Sequence, residues 1–507
     1  MSDGNSADDV GCWLTSKCSI VTTFFVVLLF VYYRYATWTH DTFKKLGIRG
    51  PKPWPGLGNF VSLYRTGMLK YDVEMKKKYG SIYGVFFGKQ PFMVVYDTAI
   101  LKQIMVKDFQ YFPNHFDMGL LPPPMDKALS LLKDDHWKFV RSVVSPTFSS
   151  GKMRKMSGQI NKCCQTLCEN LSKEAESKKI FDFKIICDAF TMDTIASTAF
   201  GVSIDSHNDP NNIFVLMARK VFKVKMTLGG ILLLVAPFLV KPLMRLGVPM
   251  FERDFIEFFT DVAKKAISQK DSADDKRHLD FLQILLNAHK ENARDEDGLS
   301  EEEILAQCLL FFLVGFETTS TTLSYFGYNM ACNPDQQEKL YEEIVEKIGD
   351  KEPTYDSILQ LSFLDMCLNE TLRMFPIGVR LETDRQATED VTINGVLIPK
   401  GMVVLIPIYA IHNDPEFWPE PHVFKPERFS PENWNPSTSD PLRFMPFGAG
   451  PRNCVGMRLA KMEVKMAVIH MIRNFRFVVS EETDVPPVFE RFTIKNINGI
   501  KIRVERR

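Results

Sequence analysis

Between Cys18 and Tyr33 the chain carries no charged residue, whereas residues 1–17 are polar and hold Asp3, Asp8 and Asp9. The apolar run is slightly shorter than the roughly 20 residues a bilayer core asks for. Trp13 on one side and Tyr35 and Trp38 on the other extend it as interfacial aromatics. The pattern predicts a membrane-spanning helix over 18–38, after a short terminus of 1–17. A cleaved signal peptide is the rival reading, but no small-residue cleavage site follows and the basic residues come after the run. Arg34, Lys44, Lys45, Arg49 and Lys52 make the C-terminal flank positive, so the bulk of the chain stays cytosolic. Residues 39–56 read as a basic linker whose Gly50-Pro51-Lys52-Pro53-Trp54-Pro55-Gly56 is stiffened by the fixed φ of proline. Residues 57–507 follow as one large domain.

Alternating and β-branched stretches predict three hairpins. Residues 81–87 and 92–96 flank Gly88-Lys89-Gln90, and Asn394-Gly395 joins 391–393 to 396–398. A third hairpin pairs 492–494 with 500–502 about Asn498-Gly499. Nearly everything between 98 and 380 carries helical spacing instead, so the fold class is mostly α with small β-ribbons. The uncharged stretch 226–240 is a poor spanning helix because it is short and holds Pro237. It reads either as a buried core helix or as an apolar lip dipping into a bilayer.

One long helix has a clear start, where Ser300 can cap with Glu303 reaching back and Leu299 pairs with Ile304 as a staple. It runs to about Cys332 before Asn333-Pro334, or roughly 48 Å at the usual rise. Its apolar stretch from Cys308 is interrupted by Gly315-Phe316-Glu317-Thr318-Thr319-Ser320-Thr321-Thr322. Burying a carboxylate and several hydroxyls in mid-helix costs free energy unless they are paired.

Composition narrows the function classes. Lys+Arg and Asp+Glu both number 62, so a dedicated nucleic-acid binder, with its basic excess, is excluded. The ten cysteines show no paired spacing, which argues against a disulfide framework or a zinc site and for a reducing compartment. One cysteine stands out. Phe447-Gly448-Ala449-Gly450-Pro451-Arg452-Asn453-Cys454-Val455-Gly456 places Cys454 in a glycine-rich loop just before the helix-forming run 457–469. Backbone N–H groups at a helix start stabilise a thiolate, and a sheltered thiolate suits a soft metal, iron in haem being one candidate.

This loop fits F-x-x-G-x-R-x-C-x-G, and here the chain resembles the cytochrome P-450 family of haem-thiolate monooxygenases. Four further motifs occur in that family's order. Trp137 and Arg141 match W-x-x-x-R, Val314-Gly315-Phe316-Glu317-Thr318 matches A-G-x-[DE]-T except at Val314, Glu370 and Arg373 match E-x-x-R, and Pro426-Glu427-Arg428-Phe429 matches P-x-R-F. Phe375-Pro376-Ile377 and Met445-Pro446-Phe447-Gly448 look most similar to the microsomal branch that oxidises drugs and steroids.

The resemblance implies a cytochrome P-450 fold for 57–507, preceded by one anchor helix and placed in the endoplasmic reticulum membrane as a single-pass protein. It implies haem b with Cys454 as metal ligand. Arg452, Trp137, Arg141, Arg385, Phe447 and Gly448 would serve the cofactor, Arg380 being a weaker rival to Arg385 as a propionate arginine. Glu370, Arg373 and Arg428 would support the haem loop. Thr318 would hydrogen-bond reacting oxygen and Glu317 pass protons in, with Gly315 and the hydroxyls loosening the helix. Leu310, Leu313, Val314, Ile377 and Val379 are the implied substrate contacts, each also readable as plain core. Val314 in place of alanine narrows the space over the cofactor.

No flavin or nicotinamide fingerprint is present. Electrons must therefore come from elsewhere, and the resemblance implies a separate NADPH-dependent flavoprotein reductase, with cytochrome b5 a second candidate partner. Lys133, Lys138, Lys461 and Lys465 could meet an acidic partner or be ordinary solvated positions. Two other functions remain open: a haem-thiolate isomerase or dehydratase of lipid hydroperoxides needing no reductase, and a non-enzymatic haem sensor. Retention of Glu317 and Thr318 argues against both.

Overall fold

The computed structural model describes residues 6–117, 121–202, 204–209, 212–221, 232, 235–246, 254–271, 281–292, 299–380, 384–435 and 439–507. In the first helix, Ser6–Thr37, the apolar side chains from Ile20 to Val31 are exposed, and only 6% of the window Ile20–Thr37 is buried within the protein. An apolar helix so exposed is stable only against something other than water, as a membrane span is. Glu301–Cys332 has similar hydropathy, 1.5 against 1.6, but is 67% buried, which makes it a core helix.

The base of the first helix is packed onto the large domain. Ala36 and Phe43 are buried, and Gly84 leaves the space that the Phe43 ring fills. The Lys89 ammonium lies 3.8 Å from the Tyr35 ring centre and 5.2 Å from that of Trp38. Residues 39–56 thus follow the domain surface, and Asn59 Nδ2 donates to the carbonyls of Pro51 and Lys52.

Two of the hairpins form as their sequence predicts. Ile82–Phe87 pairs antiparallel with Gln90–Val95, and Val391–Ile393 with Val396–Ile398 across Asn394 and Gly395, both at positive φ. Gln90–Val95 continues into a four-stranded sheet through Val403–Leu405 (parallel) and Arg385–Gln386 (antiparallel to Val403–Leu405). The third hairpin does not form. Lys501–Arg506 pairs instead with Phe475–Val479 on one side and Phe181–Asp182 on the other. Residues 492–494 are drawn elsewhere: Phe492 stacks near Phe60, and the Ile494 carbonyl accepts from the Tyr325 hydroxyl. A nonlocal partner strand outcompeted the local turn signal.

The long helix begins with the expected capping box, Ser300 N–H donating to Glu303 Oε2 at 2.7 Å and Glu303 N–H to Ser300 Oγ at 3.3 Å. Leu299 and Ile304 are both buried beside it. The helix crosses the domain centre and packs along Phe183–Phe200. A side chain at Gly315 would press on Ile195, and one at Gly327 on the Phe183 ring, so both glycines permit close helix approach. The polar stretch does not break the α-helix. Thr318, Thr322 and Ser324 hydroxyls each donate to the carbonyl four residues earlier. Gly315 itself has a packing role. Most of the stretch 226–240 lies outside the described residues. Its end enters the helix Pro237–Arg245, where Phe238 is exposed and contacts Tyr35 edge-on at 5.4 Å.

Candidate active site

The cysteine loop is shaped by two glycines at positive φ, +72° at Gly448 and +71° at Gly450. Any side chain at Gly450 would collide with the Met105 carbonyl, so only glycine lets the loop lie against the segment Gln103–Lys107. Cys454 N–H donates to Phe447 O at 2.8 Å, closing the loop, and the helix Met457–Asn474 starts three residues later. Cys454 is exposed as a residue while its thiol is densely surrounded by protein atoms. A side chain with both properties faces an internal space and not open solvent. Burial raises the thiol above its ordinary value, while the Gly456 N–H, the Arg141 charge and the Met457 N–H pull it back. The helix start therefore helps the thiolate but does not outweigh burial; a coordinating metal ion removes such a proton outright.

Around this loop sits an unusual excess of positive charge. Arg452 donates from Nε to Pro113 O at 2.5 Å and from Nη2 to Leu132 O at 2.8 Å, and its guanidinium stacks 4.2 Å from the Trp137 ring centre. Arg141 donates to Asn453 Oδ1 at 3.0 Å. Arg385 donates to the Asp384 carbonyl at 2.7 Å. Among the described residues, Arg385 Nε and Arg452 Nη1 are buried without a hydrogen-bond partner. Burial lowers Arg385 to about 10, with Asp384 opposing. Arg452 falls to about 9 through burial first and then the charge of Arg385, opposed by Asp134 and Asp384, with Arg141 adding to the fall. Buried guanidiniums with vacant N–H groups call for anionic acceptors, and carboxylates match their planar fork. The donor set fits a haem, which brings a thiolate-seeking iron and two propionates.

His115 belongs to the same cluster and was not legible in the sequence. Its Nδ1 lies 3.3 Å from Asp384 Oδ1 and 3.4 Å from Arg385 Nη1, and burial lowers its pKa. No motif marks it; only the fold brings residues 115 and 385 together. Arg380 is elsewhere, fully buried and ion-paired to Asp72 at 2.9 Å among Tyr71, Tyr83 and Tyr96.

Beneath the loop, Glu370 and Arg373 are both fully buried. Arg373 grips Glu370 with Nε at 2.7 Å and Nη2 at 2.9 Å, and also donates to His412 O and Pro421 O. Arg428 Nε reaches Glu370 Oε1 at 3.2 Å. His412 Nε2 accepts from Met445 N–H at 2.9 Å, which links this charge set to the segment leading into Phe447.

On the long helix, Val314 is 43% exposed although it sits mid-helix, and Thr318 one turn on is half-buried on the same face. Leu310 and Ile377 are half-buried, whereas Leu313 and Val379 are buried in the core. Glu317 turns away from Thr318: its carboxylate accepts from Lys184 Nζ and from Thr321 Oγ1, each at 3.2 Å. Lys133 and Lys138 are exposed, Lys138 beside Asp135. Lys465 is buried and paired with Asp365 at 2.6 Å, and Lys461 stands over the Phe447 ring at 5.6 Å. Lys465 is thus a structural residue and offers no docking charge.

A long central helix, a glycine-shaped cysteine loop and a basic cradle together define a haem-thiolate oxygenase. The family model described as Cytochrome P450 matches residues 48–503, and the chain belongs to that family. Relatives include cytochrome P450 3A14 of Cavia porcellus, 43% identical over 463 residues, 90% of this chain and 91% of that one. Cytochrome P450 3A41 of Mus musculus is 44% identical over 466 residues, 91% of each chain, and cytochrome P450 3A1 of Rattus norvegicus is 43% identical over 465, again 91% of each. The protein is accordingly a haem monooxygenase that draws NADPH electrons through a reductase and acts on lipophilic substrates.

Proposed function

We propose that the chain oxidises bulky drug- and steroid-like lipophiles, and that Cys454 would ligate haem b while Arg141, Arg385, Arg452, Trp137 and His115 would hold its carboxylates. The observation that carries this assignment is the pair of vacant buried guanidinium N–H groups beside the loop that presents the exposed Cys454. Bound haem supplies the oxygen activation. Everything else is the work of side chains.

Val314, exposed one turn after the half-buried Leu310 on the long helix, would wall the space where an apolar substrate lies, with half-buried Ile377 a further contact, and its branched side chain restricts the poses available. The Thr318 hydroxyl, at rest donating to the Val314 carbonyl at 2.7 Å, can turn its proton toward the substrate side. Glu317, whose carboxylate at rest faces Lys184 and Thr321, replaces that proton by swinging toward Thr318. Such positioned transfer contributes typically about 10²–10⁴-fold.

The uncovered helix Ile20–Thr37 and the basic residues after it support a single span in the endoplasmic reticulum membrane with the large domain on the cytosolic side. Lys133 and Lys138 form the exposed charge available to a reductase, and cytochrome b5 is a second partner for the same face. The test is a panel of unrelated lipophiles incubated with reductase and NADPH and scored by product mass. Singly oxygenated products from several bulky compounds are expected, and turnover of a single small substrate would overturn broad specificity. Cys454→Ser should abolish the red-shifted absorption of the reduced carbon monoxide adduct; full turnover in that variant would overturn the ligand assignment.

A further inference from the structure

Glu317 does not stand alone. Lys184, at the start of Phe183–Phe200, places Nζ 3.2 Å from Glu317 Oε2, 2.7 Å from Ser320 Oγ and 2.5 Å from Asp188 Oδ1. Arg219, from the helix Ile213–Val221, donates from Nε to the other Asp188 oxygen at 2.7 Å. Asp188 is buried, and the Lys184 and Glu317 side chains retain only 14% and 16% of their exposure. Two cations and two carboxylates balance within one enclosed cluster. Burial works against the Lys184 charge, but Asp188 and Glu317 more than restore it, so the ammonium is held above its ordinary value. Burial likewise works against the Asp188 charge, and Lys184 and Arg219 reverse it.

No motif contains Lys184, Asp188 or Arg219, and a conventional surface ion pair would not be enclosed by three helices. A carboxylate that relays protons has to start from a reproducible position, and the Lys184 contact fixes that position from the side opposite the substrate. We propose that Lys184, itself oriented by Asp188 and Arg219, is a positioning residue that sets where the Glu317 carboxylate sits and so governs how efficiently reducing equivalents end in product. The inference rests on the reading of Glu317 as the proton relay.

When relay fails, NADPH, a proton and O2 are converted to NADP+ and hydrogen peroxide, with the substrate unchanged. The test measures product and peroxide per NADPH in membrane-reconstituted enzyme for Lys184→Met, Lys184→Gln and Lys184→Arg, beside Glu317→Gln. Lys184→Met should lower product per NADPH by about fivefold, a fraction of the roughly hundredfold that a misplaced catalytic group can cost, with peroxide rising to match. Lys184→Gln should behave likewise and covers the case that the Met variant fails to fold; Lys184→Arg should restore most of the coupling. A denaturation double-mutant cycle over Lys184 and Glu317 should show non-additivity, independent of turnover. Wild-type coupling in Lys184→Gln while Glu317→Gln leaks peroxide would overturn this inference and leave the Glu317 role standing. Wild-type coupling in Glu317→Gln would overturn the relay reading itself. Additive denaturation effects would overturn the Lys184–Glu317 contact.

Discussion

Replacing Arg373 by methionine removes the centre of the charge set that underlies the cysteine loop. Glu370 then loses both of its contacts with Arg373, keeping the Lys425 N–H at 3.1 Å and Arg428 Nε at 3.2 Å, while the His412 and Pro421 carbonyls lose a charged donor. Removing one partner of a buried pair costs about 3–5 kcal/mol. Each hydrogen bond from a charged group adds about 1.5–3 kcal/mol before relaxation. These effects overlap, so about 4 kcal/mol is expected, on the order of a thousandfold in the folding equilibrium. A domain stable by roughly 5–15 kcal/mol survives that loss poorly. The consequence reaches the cofactor because His412, freed from Arg373, no longer fixes the Met445 N–H ahead of Phe447. The assay is a urea midpoint together with the fraction of protein giving the thiolate-type carbon monoxide spectrum. A midpoint within about 1 kcal/mol of wild type, with haem fully retained, would refute the argument, since only a solvated, replaceable pair loses so little.

Val314→Ala should change the ratio of products from a bulky substrate while costing under about 1 kcal/mol, because a side chain 43% exposed packs little; unchanged product ratios in a chromatographic assay would remove it from the substrate wall. Glu463 is buried beside Thr319, with Oε1 lacking a partner, and burial pushes its pKa up to about 8 from 4.5. The folded state therefore keeps a proton that the unfolded chain releases, so this group's contribution is full below about pH 4.5 and falls as pH rises through 8, on the order of 5 kcal/mol in all. Glu463→Gln should flatten urea midpoints measured between pH 5.5 and 8, and an unaltered slope would show that the carboxyl is not the titrating group. Lys133→Glu should raise the reductase concentration needed for half-maximal turnover, more so at low salt, whereas Lys465→Gln should act through stability; a reversed pattern would place the docking face elsewhere.

The long helix was legible down to its capping box because Ser300 and Glu303 act within one turn, and local chemistry is what a sequence displays most directly. The same holds for Asn394-Gly395. The hairpin about Asn498-Gly499 misled for the converse reason: Lys501–Arg506 finds its partner in Phe475–Val479, which no local turn can announce. Of the site, the cysteine loop and the Glu370–Arg373 pair were readable as patterns, but His115 and Lys184 were not. Each acts through a residue more than a hundred positions away, Asp384 and Glu317 respectively. Gly315 shows a subtler gap, since its motif was plain but its reason, contact with Ile195, required the neighbouring helix.

The footing of the first helix bears on how the enzyme can be handled and how it stands on a bilayer. With Phe43 seated in the domain interior and Lys89 clasped by Tyr35 and Trp38, the catalytic body is not a balloon on a string. A shortened, water-soluble version should be cut ahead of Tyr35; cutting beyond Phe43 would open a hole in the fold and sacrifice the segment that seats the first helix on the large domain.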